Sequence, residues 1–216
     1  MNKKYELTDE CINIYGRKLY RIKALVDFSY VKSGDLGGYV ESYDNLSQEG
    51  TCWIYGSARV FGSAIVYGNA IVGGNAIVGG NARVGGNAIV DGNSIVSGNA
   101  IVGGNARVGG NAIVDGNARV GGNAIVDGNA KVFGSAEVSS NIDFAVVSGF
   151  GTAQRSTTFF RLANGNIGVK CGCFYGTIDE FIIQVKKTRT GKIADEYLAI
   201  ADLMKYHFNK EEYPEE

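Results

Sequence analysis

From Gly50 to Ser139 the apolar and polar positions of the chain recur with a period of six. Gly stands at every sixth position from Gly50 through Gly134, fifteen times without a gap. Four places after each Gly comes Val, from Val60 to Val138, with Ile54 opening the series. Two places after each Gly comes Ala, with Cys52 and Ser94 as the substitutes. The unit reads G-[N/S]-A-x-V-x. Strand residues alternate sides, so Ala and Val point one way and the residue between them points the other. Pairs such as Gly68-Asn69 form a corner, because Gly accepts positive φ and Asn tolerates it better than most residues. A corner every six residues closes a triangle, so three hexads make an 18-residue coil and fifteen hexads make five coils. At roughly 4.8 Å per stacked strand the prism stands about 24 Å tall. Each coil's expected core is three Val and three Ala. Burying each Val stabilises by roughly 1.5–3 kcal/mol, and only stacking of neighbouring coils achieves that burial.

The pattern decays at both ends, where an open β-helix exposes unpaired backbone and needs cover. Past Ser139, Ile142 and Phe144 take the places of Ala and Val and predict a plug of larger side chains. Ahead of the repeats, Ile12 and Ile14 alternate, and Leu19, Tyr20, Ile22 and Ala24 follow Gly16, which predicts short strands. Gly34 to Val40 leads into an irregular first coil. Beyond the repeats, Thr157 to Leu162 and Ile167 to Cys173 read as strands, with Asn164-Gly165 between them as a hairpin signal. Thr177 and Glu180 form a capping box ahead of Ile178, Phe181, Ile182 and Val185 at helical spacing. Thr188 to Gly191 breaks this helix, and Tyr197, Ile200, Ala201, Met204 and Phe208 mark a second. The expected division is an N-terminal β cap with lead-in coil (1–49), the β-helix (50–145) and a ββαα cap with an acidic tail (146–216).

The periodicity resembles the left-handed parallel β-helix of the hexapeptide-repeat superfamily. The left hand is implied by that resemblance alone, since ordinary parallel crossovers are right-handed. The stretches LYRIKALVDF, VKSGDLGGYVES and NLSQ before the repeats, and CGCFYGTIDEF after them, are similar to YdcK-like polymer-forming hexapeptide proteins of bacteria and their phages. The resemblance covers most of the chain. It implies a mainly β fold, a left-handed parallel β-helix of about five coils, and no established activity. Trimers packed prism against prism, with ligands in the clefts between protomers, are common in the superfamily.

Charge narrows the partners little. With 21 basic and 22 acidic residues, bulk electrostatics give no reason to expect nucleic acid. The N-terminus, MNKKYELTDE, has no apolar stretch behind its lysines and does not read as a secretory signal. Nor does any run of about 18 apolar residues predict a membrane span. The cysteines, Cys11, Cys52, Cys171 and Cys173, have no disulfide-framework spacing, so a reducing cytoplasm is the expected compartment.

Candidate chemistry is sparse. Hexapeptide acyltransferases generally use a His on the prism as general base, the natural choice for a group titrating near neutral pH. The single His of this chain, His207, falls outside the repeat. One His also excludes the three-His zinc site of the γ-class carbonic anhydrases. Cys171 and Cys173 with His207 lack an obvious fourth ligand, and no metal or cofactor is implied. Asp91, Asp115 and Asp127 sit at corners. Asp91 and Asp127 share an edge two coils apart, and roughly 9.6 Å is too far for a carboxylate dyad.

The outward residues, read at every eighteenth position, give three rows. One holds Arg59, Ile77, Ile95, Ile113 and Lys131. The second holds Ile65, Arg83, Ile101, Arg119 and Glu137. The third holds Trp53, Ile71, Ile89, Arg107, Ile125 and Asp143. Apolar ladders left bare are an aggregation liability, so Trp53, Ile71, Ile77, Ile89, Ile95 and Ile113 are expected to line a homo-oligomer interface, a trimer being favoured. Arg83, Arg107 and Arg119 are candidate anion contacts, because guanidinium pairs bidentately with phosphate or carboxylate. The expectation is a non-catalytic binding or scaffold protein. If phage-borne, as the resemblance permits, it would bind or sequester a host protein or a small signalling molecule, as an anti-defence factor does. The alternatives are an atypical acyl-CoA-dependent acyltransferase with a carboxylate base, and a structural polymer of rods stacked end to end, which folded caps would oppose.

Overall fold

The computed structural model describes residues 3–151 and 154–209. The acidic tail read at the C-terminus lies outside the described residues. Two antiparallel strands open the chain, β1 (Tyr5–Ile14) and β2 (Arg17–Ala24). They turn through Tyr15 and Gly16, at φ of 51° and 76°, the pair of positive values that a two-residue hairpin of type I′ uses. β2 pairs antiparallel with β3 (Leu36–Val40), and β3 pairs parallel with the strand Arg59–Val60. The cap is thus continuous with one sheet of the prism. Fifteen two-residue strands follow, from β4 (Trp53–Ile54) to β18 (Glu137–Val138), stacked in three parallel sheets.

The inward phase holds throughout. Every Ala and Val of the hexads from Ala58 to Val138 is at most 1% exposed. Ser94, the inward hydroxyl, is satisfied by donating to the Asp91 carbonyl at 2.7 Å. The prism begins earlier than Gly50: Val40, Leu46 and Ile54 point inward, and β3 adds a sixth layer below the five of the repeat. The step from Leu46 to Ile54 carries two extra residues, which blurs the period there.

The corners divide their labour differently from the sequence expectation. All fifteen corner glycines have φ between 54° and 74°. The Asn that follows eleven of them, from Asn69 to Asn129, is not left-handed. Its amide instead joins a ladder, with Asn81 Nδ2 donating to Asn99 Oδ1 and Asn99 Nδ2 to Asn117 Oδ1, both at 2.9 Å. Equivalent ladders run through Asn69, Asn87, Asn105 and Asn123 and through Asn75, Asn93, Asn111 and Asn129. Gly85 is glycine for room, because the Tyr67 ring of the coil below occupies the place of a Cβ.

Each end of the prism is closed by side chains. At the first coil Lys4, 4% exposed, donates to the Cys52 carbonyl at 3.1 Å, to the Glu49 carbonyl at 3.4 Å and to Cys52 Sγ at 3.3 Å. Burial pushes the Lys4 ammonium below its ordinary value, which Cys52 partly offsets. At the far end the chain leaves the hexad phase through a 3-10 turn, Asn141–Asp143. This turn swings Ile142 outward, to 56% exposed, so it does not plug the core as its position in the hexad predicts. Phe144 does pack against the prism core, half-buried, and the fully buried plug is Phe160. Asp143 anchors the turn. Its Oδ2 accepts from Ser139 N and Oγ at 2.9 and 2.8 Å and from Ser140 N and Oγ at 2.9 and 3.1 Å. Its Oδ1 accepts from Arg161 Nε at 3.1 Å. Burial pushes the carboxyl up, but the Ser139 and Ser140 bonds outweigh it and hold Asp143 below its ordinary value.

The C-terminal cap is an antiparallel sheet of β19 (Phe144–Phe150), β20 (Arg155–Arg161), β21 (Ile167–Cys171) and β22 (Phe174–Thr177), with α1 (Ile178–Thr188) and α2 (Gly191–His207) packed on it. The expected hairpin through Asn164-Gly165 and both helices are present. Strands β19 and β22 are additional, so the cap is ββββαα where the sequence suggested ββαα. Thr177 and Glu180 form the capping box, with Thr177 Oγ1 accepting from Glu180 N at 3.3 Å. Phe159, Val169, Phe181, Val185, Ala201 and Met204 share a second core.

Candidate functional site

The prism sorts the candidate residues onto different faces. Ile77, Ile95 and Ile113 stack in register on one sheet, between Arg59 and Lys131. Ile71 and Ile89 stack on a second sheet, followed by Arg107 and Ile125. Arg83 and Arg119 lie on the third, with Ile101 between them. The three arginines therefore do not converge: Arg107 points from a different face. All three are exposed and make no hydrogen bond or ion pair among the described residues. The isoleucines of these rows are half-buried, except Ile125, which is 46% exposed. Trp53 corrects the expected interface. It is 1% exposed, because Phe28 and Tyr5 pack edge-on against it at 5.4 and 6.2 Å, so the chain's own N-terminal cap covers it.

The corner aspartates serve the corners. Asp91 and Asp127 accept from the next residue's backbone, Gly92 N at 2.7 Å and Gly128 N at 2.6 Å, and Asp115 accepts from Ser97 Oγ at 3.0 Å. Cys171 ends β21, while Cys173 lies in the turn before β22 and is exposed. His207 stands at the end of α2 with its ring edge-on to Phe208 at 5.0 Å. Among the described residues no group of three or more His, Cys, Asp and Glu comes together.

What sequence reasoning missed is a cleft of about 370 Å³ in the C-terminal cap. It opens between the turn joining β21 to β22, the C-terminal half of α1 and the start of α2. Arg155 and Arg189 stand on its walls with the Tyr197 phenol, over an apolar floor that includes Phe174, Phe181 and Val185. Phe181 packs edge-on against Tyr197 at 5.8 Å and tilted against Phe174 at 5.4 Å, which fixes the floor. Cys171 and Cys173 complete one side. Thr157 Oγ1 donates to Cys171 Sγ at 3.1 Å and orients that thiol. Among the described residues no carboxylate lines the cleft. Arg17, Arg21 and Arg161 are each neutralised by a carboxylate elsewhere, whereas Arg155 and Arg189 form no ion pair among the described residues. Burial pushes the Tyr197 phenol up and Cys171 adds to this, while the Arg189 and Arg155 guanidiniums pull the other way. Both cations thus border the cleft that the Tyr197 phenol lines. Their separation in sequence leaves no local signal. Arg155 opens a strand, Arg189 follows a helix, and only the fold of the cap brings them together.

Stacked parallel coils with an apolar interior define a β-solenoid. A family model described as the YdcK Beta solenoid repeat matches residues 82–98, within the prism, and the chain is a YdcK-like repeat β-helix protein. No curated protein matches it.

Proposed function

We propose that this chain is a non-catalytic binding scaffold, which self-associates through its prism and presents its caps at fixed spacing. The observation that supports this is the unbroken Ile77–Ile95–Ile113 ladder. The other two sheets are interrupted by Arg83, Arg107 and Arg119, but this one carries charge only at its ends, at Arg59 and Lys131. An apolar centre bounded by charged residues has the layout of a protein–protein interface. Further burial of three half-buried Ile side chains per copy favours association. Closed symmetry is the usual outcome, and the likeness to hexapeptide-repeat proteins favours three copies. The non-catalytic part of the reading rests on the repeat, which has no His to act as general base.

Native mass spectrometry of the full chain at micromolar concentration tests the proposal. The expected result is a three-copy mass. A folded protein that stays monomeric under these conditions would contradict it.

A further inference from the structure

We infer that the cleft in the C-terminal cap binds a small molecule with an anionic group, phosphate or carboxylate, on an apolar body. This goes beyond the scaffold reading, because it places recognition on the cap and independently of the prism faces.

Among the described residues, two guanidiniums without counter-ions face one cleft that has no carboxylate in its walls. Two cations bordering one cleft repel one another, and an anion bound in it offsets that repulsion while gaining charge-assisted hydrogen bonds. Guanidinium presents a planar fork that fits the paired oxygens of phosphate or carboxylate. Tyr197 lines the same cleft, with its hydroxyl reaching the Phe150 carbonyl at 3.5 Å. The floor sets the rest of the ligand. Phe174, Phe181 and Val185 offer aromatic and aliphatic surface beside the charged wall, so a bare inorganic anion leaves half of the cleft unused. A volume of about 370 Å³ lies at the small-ligand end of the range for binding pockets. The floor belongs to the cap's own core, where Phe181 is 4% exposed, so the floor is in place before any ligand arrives.

Cys173 provides the readout, since it is exposed and lines the cleft. Cys11, exposed on β1 at the other end of the molecule, is the internal control. Alkylation of the full-length protein by iodoacetamide is followed at both thiols by peptide mass spectrometry. The probes are phenyl phosphate, phenylacetate, inorganic phosphate and benzyl alcohol. Saturable protection of Cys173 by phenyl phosphate or phenylacetate, with Cys11 unaffected, is expected. Benzyl alcohol, which lacks the charge, should give none, and inorganic phosphate should protect more weakly than phenyl phosphate. Whichever of the two aromatic anions protects at lower concentration identifies the headgroup. In Arg155→Gln/Arg189→Gln protection should need at least about tenfold more probe. Both side chains are exposed, so the variant is expected to keep the circular dichroism spectrum of the wild type. Arg155→Lys/Arg189→Lys, which keeps the charge and loses the fork, should fall between the two. Failure of both aromatic anions to protect Cys173 at millimolar concentration, or equal protection in the Gln variant, would overturn the inference. The oligomeric mass does not enter this readout, so the scaffold proposal and the cleft can fail separately.

Discussion

The prism and the C-terminal cap solve opposite problems with the same chain. In the prism each coil repeats the one below, so along the repeat inward Val stacks on Val and corner Asn on Asn. A residue eighteen positions away has the same surroundings, and charge is spread along the faces. Arg83, Arg107 and Arg119 accordingly end up on two sheets and meet no partner among the described residues. In the cap no element repeats another, and residues as distant as Arg155, Cys171, Arg189 and Tyr197 border one cleft. Repetition gives rigidity and a long ladder suited to assembly. Irregular, long-range packing gathers unlike groups at one point, which selective binding requires.

The largest effect comes from breaking the prism's interior. Val102→Asp places an unpaired charge in a core where Val102 is fully buried, which should cost more than about 4 kcal/mol and abolish the cooperative thermal transition. A cooperatively folded Val102→Asp would mean that the inward phase is wrong.

The junction between prism and cap comes next. Asp143→Ala strands Arg161 and frees the Ser139 and Ser140 donors, a loss of about 3 kcal/mol read from chemical denaturation. The same carboxyl predicts an acid dependence. Its folded-state value is held down, so the stability it contributes is complete above the unfolded value of about 3.9 and is lost as pH falls through the folded value. The difference in melting temperature between wild type and Asp143→Asn should therefore shrink as pH is lowered from about 5 toward 2. A difference that stays constant across that range would deny the carboxylate this role.

The smallest effect tests the repetition itself. Asn99→Ala cuts the exposed ladder between Asn81 and Asn117 and should cost about 0.5–1 kcal/mol, seen as a small shift in denaturant midpoint. A loss as large as that of Asp143→Ala would show that the corners contribute as much as the core-closing turn.

Much of the prism was legible because its signals are local and periodic. Gly, Ala and Val at fixed offsets give corner, inward face and stacking at once. The sixth layer escaped the count because the step from Leu46 to Ile54 breaks the period. Trp53 was placed outward by its phase, correctly, yet the direction of a side chain does not reveal what later covers it. Phe28 and Tyr5 come from the folded-over cap. Ile142 kept its place in the hexad but lost its direction to the 3-10 turn that Asp143 anchors. In the cap, hairpin and helix signals located the central elements, while β19 and β22 lack a strong alternation of their own. The cleft was not legible at all, because nothing within a few residues of Arg155 or Arg189 announces the other.

The central claim is that the Ile77–Ile95–Ile113 sheet is for assembly, and sedimentation velocity of Ile77→Asp/Ile95→Asp beside the wild type tests it most directly. Both side chains point out of the prism, so the variant should keep its β spectrum while falling from the oligomer to the monomer. An unchanged oligomeric mass in a folded variant would contradict the account and remove that sheet as the interface.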